Sequence, residues 1–63
     1  MTKKELKEKL INEIRAVKAS GVGATTDSER GAISAAVGKL VVRLRKECDV
    51  DDKEIAEILE KTN

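Results

Sequence analysis

The side chains that most often carry out acid–base and metal chemistry are scarce in this chain of 63 residues. It contains no histidine, the usual general base near neutral pH, and its only cysteine is Cys48. A lone cysteine forms no intramolecular disulfide, and a single sulfur ligand does not make a zinc site. At the edge of an apolar stripe, a cysteine is more typical of a small core residue than of a reactive thiol. We therefore expect no metal and no cofactor.

Carboxylates are the remaining candidates for catalysis, and their densest cluster is Asp49, Asp51 and Asp52. A calcium-binding loop that began at Asp49 would need glycine at its sixth position, which is Glu54 here. The cluster instead precedes a predicted helix, whose positive N-terminal end favours acidic side chains. The other carboxylates alternate with lysines, as they do on solvent-facing helix surfaces. The sequence thus offers no catalytic residue, and we expect a protein that is not an enzyme.

A glycine-bearing loop precedes the predicted second helix, and such a loop can bind an anion through its free N–H groups. No lysine stands where a phosphate-binding loop requires one, and Asp27 and Glu29 would repel an anion. A turn followed by a helix cap is the favoured interpretation, and a sensor of small anionic ligands is kept as an alternative. The candidate ligands for such an anion are Gly21, Gly23, Thr25 and Thr26.

A basic strip, made of Lys39, Arg43 and Lys46, follows i, i+4, i+7 spacing along the second helix. Such a strip could contact nucleic-acid phosphates. The chain has a net charge of only +1 and no aromatic side chain for base stacking, which argues against that use. We favour a solvated face with ionic partners on the acidic third helix. A nucleic-acid partner is therefore an alternative and is not favoured.

The elements that must position these residues are three helices, predicted at about 3–20, 27–47 and 52–61, with no strand. They make an all-α single domain over residues 1–63. Each helix begins with a capping box, in which a Thr or Asp is followed three residues later by Glu. Gly21 is predicted to end the first helix in the left-handed conformation. The three boxes are Thr2–Glu5, Thr26–Glu29 and Asp51–Glu54.

The predicted core is entirely aliphatic, and each helix contributes one apolar stripe to it. Hydrophobic staples between Met1 and Leu6 and between Val50 and Ile55 are expected to fix two of the helix starts. The stripes comprise Leu6, Leu10, Ile11, Ile14 and Val17 in the first helix, Ile33, Val37, Leu40 and Leu44 with Val41 and Cys48 at the edge in the second, and Ile55, Ile58 and Leu59 with Ala56 and Thr62 in the third.

The second helix has a further apolar face of small residues, nearly opposite its core stripe, made of Gly31, Ala35, Gly38 and Val42. We call it the small-residue face. A monomeric three-helix domain needs only one apolar face on this helix, and small side chains permit close approach of another helix. So short a chain is also marginally stable alone. We therefore expect a homo-oligomer, with a dimer favoured, that associates through the small-residue face.

Charge is distributed unevenly, with +3 in residues 1–20, +2 in residues 21–48 and −4 in residues 49–63. The acidic end is expected to help the third helix dock on the first two. Residues 32–42, the longest apolar stretch, are too few to span a bilayer, so we expect no membrane association and a cytoplasmic location.

The favoured function is a non-enzymatic protein-interaction module, which acts as a small self-associating adaptor or inhibitor of a larger protein partner. Small helical domains of this kind are also common among accessory proteins of bacteria and their phages, which suggests such an origin by association.

Overall fold

A computed structural model describes residues 1–62 as three α-helices joined by short turns, and no strand occurs within that range. Helix α1 spans Lys3–Ser20, α2 spans Asp27–Cys48 and α3 spans Asp52–Lys61. The predicted all-α class and the order of the helices are confirmed, and α2 is one residue longer than predicted. Asn63, the last residue of the predicted domain, lies outside the described residues.

The three predicted N-caps all form. Each capping residue has extended backbone torsions, and its side-chain oxygen accepts a hydrogen bond from the N–H three residues later. The bonds run from Glu5 to Thr2 at 3.1 Å, from Glu29 to Thr26 at 3.1 Å and from Glu54 to Asp51 at 2.8 Å. Because each bond depends on residues close in sequence, these helix starts could be predicted without knowledge of the fold.

Helices α1 and α2 run antiparallel and form a hairpin. At its loop end Gly21 lies against Ile33, and at its open end Lys3 pairs with Asp49, the residue that caps α2. Helix α3 returns across this hairpin, so that the molecule measures 36 × 18 × 18 Å. With only 10 residues, α3 is much shorter than the 18 and 22 residues of the hairpin helices.

The core lies where α3 crosses the hairpin, and it consists of aliphatic residues from all three helices. Leu10, Ile14 and Leu44 are fully buried. Ile55 and Ile58 of α3 cover them, and Val50 packs beside them from the turn before α3. At the loop end of the hairpin α3 provides less cover. There the predicted core residues Val17 and Ile33 are only half-buried and lie outside the main core cluster.

Two expectations about burial are wrong, and a third is met only in part. Met1 is 82% exposed, so it forms no staple with Leu6. Ala56 is exposed, because it lies on the outer side of α3. Leu59 is only partly buried, because it faces the poorly covered loop end. Val50 and Ile55 are both buried in the core cluster, which confirms the second staple.

Gly21 does not adopt the left-handed conformation that its type suggests, since its φ is −85°. Its N–H donates to the carbonyls of Val17 and Lys18 at 3.1 Å each, as in a continuing helix. Glycine matters here for space, because a Cβ at position 21 would lie 2.6 Å from Cδ1 of Ile33. The left-handed residue is Asp49, with a φ of 55°, which ends α2. Aspartate tolerates this conformation better than most residues.

The charge difference along the chain appears as ion pairs that connect α3 to the hairpin. Glu54 pairs with Lys7 of α1, and Asp52 pairs with Arg45 of α2 at 2.5 Å. The expected electrostatic support for docking is therefore present. The Arg45–Asp52 pair is exposed and the Lys7–Glu54 pair is half-exposed. Exposed pairs typically contribute about 0–1 kcal/mol each, so burial of aliphatic side chains provides most of the docking energy.

Within residues 1–62, no helix combines the length and the apolarity that crossing a membrane requires.

The docking of α3 is tested by the substitution Ile58→Ala. Ile58 is 7% exposed, so the loss of its buried methyl groups should lower the free energy of unfolding by about 2–5 kcal/mol. Urea titration followed by circular dichroism measures this change. The control Val22→Ala removes methyl groups from a residue that is 88% exposed and should change stability by less than about 0.5 kcal/mol. Equal effects of the two substitutions would show that Ile58 is not a core residue.

Candidate functional site

The small-residue face of α2 points away from α1 and α3 along its whole length. Gly31, Ala35, Gly38 and Val42 are all exposed, and Val42, at 47%, is among the few large hydrophobic side chains that are exposed. The helix presents this face because its core stripe, which contains Leu44, turns toward α1 and α3. The structure thus places the four predicted interface residues together on one accessible surface.

The two glycines of this face have no packing partner in the described chain. A methyl group placed on Gly31 or Gly38 would meet no atom within 4 Å, apart from the neighbouring turns of the same helix. Glycine in a helix interior is less favourable than alanine by about 0.8–1.0 kcal/mol. No tertiary contact within residues 1–62 compensates for that loss at either position.

The basic strip is also exposed, beside the small-residue face. Lys39, Arg43 and Lys46 are all accessible on α2. Arg43 donates from Nε to Oε2 of Glu47, one turn further along the helix, at 2.7 Å. The strip does not pair with acidic residues of α3 as expected, since Asp52 of α3 pairs with Arg45 instead. The strip points away from α3, and this orientation explains the difference.

The contact between Arg43 and Glu47 changes the titration of both side chains. The hydrogen bond from the guanidinium holds the pKa of Glu47 below its ordinary value, and attraction to the same positive charge adds to that effect. The pKa of Arg43 is raised for the same two reasons. The strip is therefore less purely cationic than its sequence suggests, because its central residue carries a bound carboxylate.

The loop residues proposed as anion ligands are largely engaged in local hydrogen bonds. The N–H of Thr25 donates to Oε2 of Glu29 at 3.1 Å, and the hydroxyl oxygen of Thr26 accepts from the N–H of Glu29. Gly21 continues the last turn of α1, and Gly23 is exposed. A carboxylate of the chain itself therefore occupies the place at which an external anion would accept hydrogen bonds.

An apolar groove with a cationic rim, which sequence reasoning missed, lies at the loop end of the hairpin. It is open, has a volume of about 420 Å³, and lies between the end of α1, the first half of α2 and Leu59 of α3. We call it the loop-end groove. The predicted core stripe of α2 contains Ile33 and Val37, which line this groove. The groove itself exists because α3 covers this end of the hairpin only in part, and that depends on the tertiary arrangement. Its apolar side chains are Ile33, Val37 and Leu59, and its cations are Lys18 and Arg30.

The remaining reactive side chains form no site. Cys48 is a free thiol, half-buried against the core cluster. Within residues 1–62, no three Cys, Asp or Glu side chains come together as they would to hold a metal ion. Asp51 of the acidic cluster caps α3, Asp52 pairs with Arg45, and Asp49 pairs with Lys3. These aspartates therefore have structural partners, as their predicted place at a helix start suggested.

Comparison of the chain with protein-family models, with curated proteins and with solved structures gives no match.

The ion pair within the basic strip is tested by the substitution Arg43→Ala. Removing the guanidinium should raise the pKa of Glu47 toward its ordinary value, as measured by NMR titration of its side-chain carboxyl carbon. Because the pKa is depressed in the folded chain, any stabilisation from the pair is present above the ordinary glutamate pKa and is lost as the pH falls through the lower value. The control Lys46→Ala should leave this titration nearly unchanged. An unshifted Glu47 in Arg43→Ala would contradict the assignment.

Proposed function

We propose that this protein is a non-enzymatic interaction module that self-associates through the small-residue face of α2 and serves as an adaptor or inhibitor of a larger protein. The observation that carries the proposal is the exposure of Gly31, Ala35, Gly38 and Val42 on one face, with no tertiary contact at either glycine. Burial of this face would recover about 25 cal/mol for each Å² of apolar surface removed from water.

A helix is the partner that this face fits best. Glycine and alanine allow two helix backbones to come closer than bulkier side chains permit, and close backbones make many van der Waals contacts. Val42 is the one bulky member of the face, and it requires a shallow depression on the partner. A glycine position on another helix supplies such a depression.

A second copy of α2 provides that complement when the two helices run antiparallel. A two-fold axis that passes beside the midpoint between Ala36 and Val37 places Val42 of each copy opposite Gly31 of the other. The same axis places Ala35 opposite Gly38. Bulky and small positions therefore alternate across the interface, as close packing of helices requires.

Charge also favours the antiparallel arrangement. The two-fold axis brings Asp27, at the start of α2, opposite Lys46 near its end. In a parallel pair like residues would face one another, so Asp27 would meet Asp27 and Lys46 would meet Lys46. Antiparallel helix dipoles attract as well. The surface is thus self-complementary, and this is the property that a two-fold dimer needs.

The alternative functions have less support from the geometry. Nucleic-acid binding would use Lys39, Arg43 and Lys46, but Arg43 already holds a carboxylate. Anion sensing at the loop would have to displace Glu29 from Thr25. Both remain distinguishable by experiment, because phosphate contacts weaken steeply with added salt and association through small apolar residues does not.

Self-association is tested by the substitution Ala35→Glu. A carboxylate in the middle of the small-residue face would be buried without a partner, so the dimer should dissociate while the three helices remain folded. Sedimentation velocity measures the assembly, and circular dichroism measures the helix content. The control Ala56→Glu introduces the same side chain at an exposed position of α3 and should leave the dimer intact. A wild-type chain that sediments as a monomer at high micromolar concentration would refute the proposal.

Gly38→Ala separates the stability of the monomer from association. In the monomer the added methyl meets no atom within 4 Å and should raise the free energy of unfolding by about 0.5–1 kcal/mol through the better helix propensity of alanine. In the dimer it should push the helices apart and weaken association. Thermal melts at low and high protein concentration measure the two effects.

The matched control is Gly23→Ala, which also meets no atom within 4 Å but lies in the loop, outside the small-residue face. It should leave association unchanged. If Gly38→Ala strengthened the dimer, close packing of the helices at this position would be ruled out.

A further inference from the structure

We propose that the loop-end groove is a second docking site, which binds an acidic amphipathic helix of a partner protein. This inference is independent of the self-association proposed above, because it concerns another surface. Three properties of the groove carry it: an apolar floor, a rim of positive charge, and a length that suits a short helical segment.

The floor is apolar because the core stripe of α2 continues beyond the part that α3 covers well. Ile33 and Val37 lie one helical turn apart on α2 and are only half-buried, and Leu59 lines the groove from α3. Gly21 permits the close contact between the end of α1 and Ile33, and so shapes the floor. Val22, which is 88% exposed, borders the adjoining depression on the far side of Gly21.

Within residues 1–62, the charged side chains that line the groove and the adjoining depression are all cations. Lys18 and Arg30 line the groove, and Arg15 lines the adjoining depression. Among the residues that the structure describes, neither lining includes Asp or Glu. Arg15 and Arg30 form no ion pair within residues 1–62. Lys18 donates from Nζ to the carbonyl of Leu59 at 2.8 Å, which holds the end of α3 at the groove edge.

Glu29 lines a neighbouring depression, which shares Ala24 and Ile33 with the groove. Its side chain accepts a hydrogen bond from the N–H of Thr25, so this carboxylate already has a partner in the loop. The described charged side chains that line the groove are therefore cationic, although the whole chain is close to neutral. A partner with carboxylates beside apolar side chains complements it, whereas a basic partner would be repelled.

The dimensions favour a short helix. The groove follows α2 from Arg30 to Val37, which is about 10 Å at 1.5 Å per residue, or about two helical turns. A helix of this length presents apolar residues at i, i+3, i+4 and i+7 to a groove. On α2 the groove and the small-residue face lie on different sides and border each other near Ser34, so that both surfaces can be occupied together.

The probe is a fluorescein-labelled helical peptide of about 12 residues, with leucines on one face and glutamates on both sides of them. A second peptide with lysine in place of each glutamate is the matched probe. Fluorescence anisotropy should show that the glutamate peptide binds at least about tenfold more tightly, with weakening as salt is added. On binding, the methyl NMR signals of Ile33 and Val37 should shift.

Charge reversals on α2 locate the site. Arg30→Glu should raise the Kd of the glutamate peptide by about fivefold, since an attraction is replaced by a repulsion of similar size. Lys39→Glu makes the same charge change on the same helix, at an exposed position outside the groove, and should have less than about half that effect. Equal effects of both variants would overturn the proposal, because the peptide would then respond only to net charge.

The remaining outcomes are also decisive. Equal binding of the two peptides, or no binding of either, would show that the groove does not select an acidic helix. Shifts of the Ile33 and Val37 methyl signals on dilution of the Ala35→Glu variant, whose small-residue face cannot associate, would mean that a second copy occupies the groove, which contradicts the proposal. The Ala35→Glu variant should bind the glutamate peptide as the wild type does. This measurement distinguishes failure of the groove proposal from failure of self-association.

Discussion

The docking of α3 across the α1–α2 hairpin is the interaction on which the rest of the structure depends. With no aromatic side chain and no disulfide, the chain must close its core with aliphatic residues alone. Leu10, Ile14 and Leu44 can be fully buried only because Ile55 and Ile58 of α3 lie over them. A helix of 10 residues is marginal in isolation, so α3 in turn depends on that contact for its own stability. The hairpin and the third helix therefore form together.

The shortness of α3 then leaves the loop end of the hairpin open. This one short helix covers the apolar residues at the open end of the hairpin. At the loop end, by contrast, Ile33 is only half-buried, and Arg30 borders exposed apolar surface. Within residues 1–62, nothing covers the outward face of α2, since α1 and α3 both lie on its other side. The two candidate docking surfaces thus have different causes: the loop-end groove is open because α3 is short, and the small-residue face is open because the core lies on the opposite side of α2. A longer α3 would stabilise the monomer but would close the loop-end groove.

Predictions that depended on local interactions were the reliable ones. The N-caps Thr2, Thr26 and Asp51 need only a hydrogen bond to a residue three positions away, so the helix starts could be predicted from the sequence. Met1 was expected to pack on Leu6, but such packing needs a covered helix start, which only the tertiary arrangement could supply. The expected left-handed conformation of Gly21 is wrong because a glycine can be required for either of two reasons. It permits a positive φ, and it permits the close approach of another side chain, and the sequence alone does not distinguish the two. The loop-end groove depends on the placement of α3 relative to the hairpin, which no single residue encodes.

Marginal stability connects these surfaces to folding. A domain of this size buries only about 60% of its unfolded surface, so its folded state has little free energy to spare. Any partner that binds the folded chain alone adds RT ln(1 + [L]/Kd) to its stability. The exposed glycines Gly31 and Gly38 weaken the isolated helix and at the same time provide the surface on which a second helix can pack closely. The same residues that lower the stability of the monomer would therefore increase the dependence of folding on association. In such a chain, Gly31 and Gly38 belong both to the proposed binding surface and to the residues that limit stability.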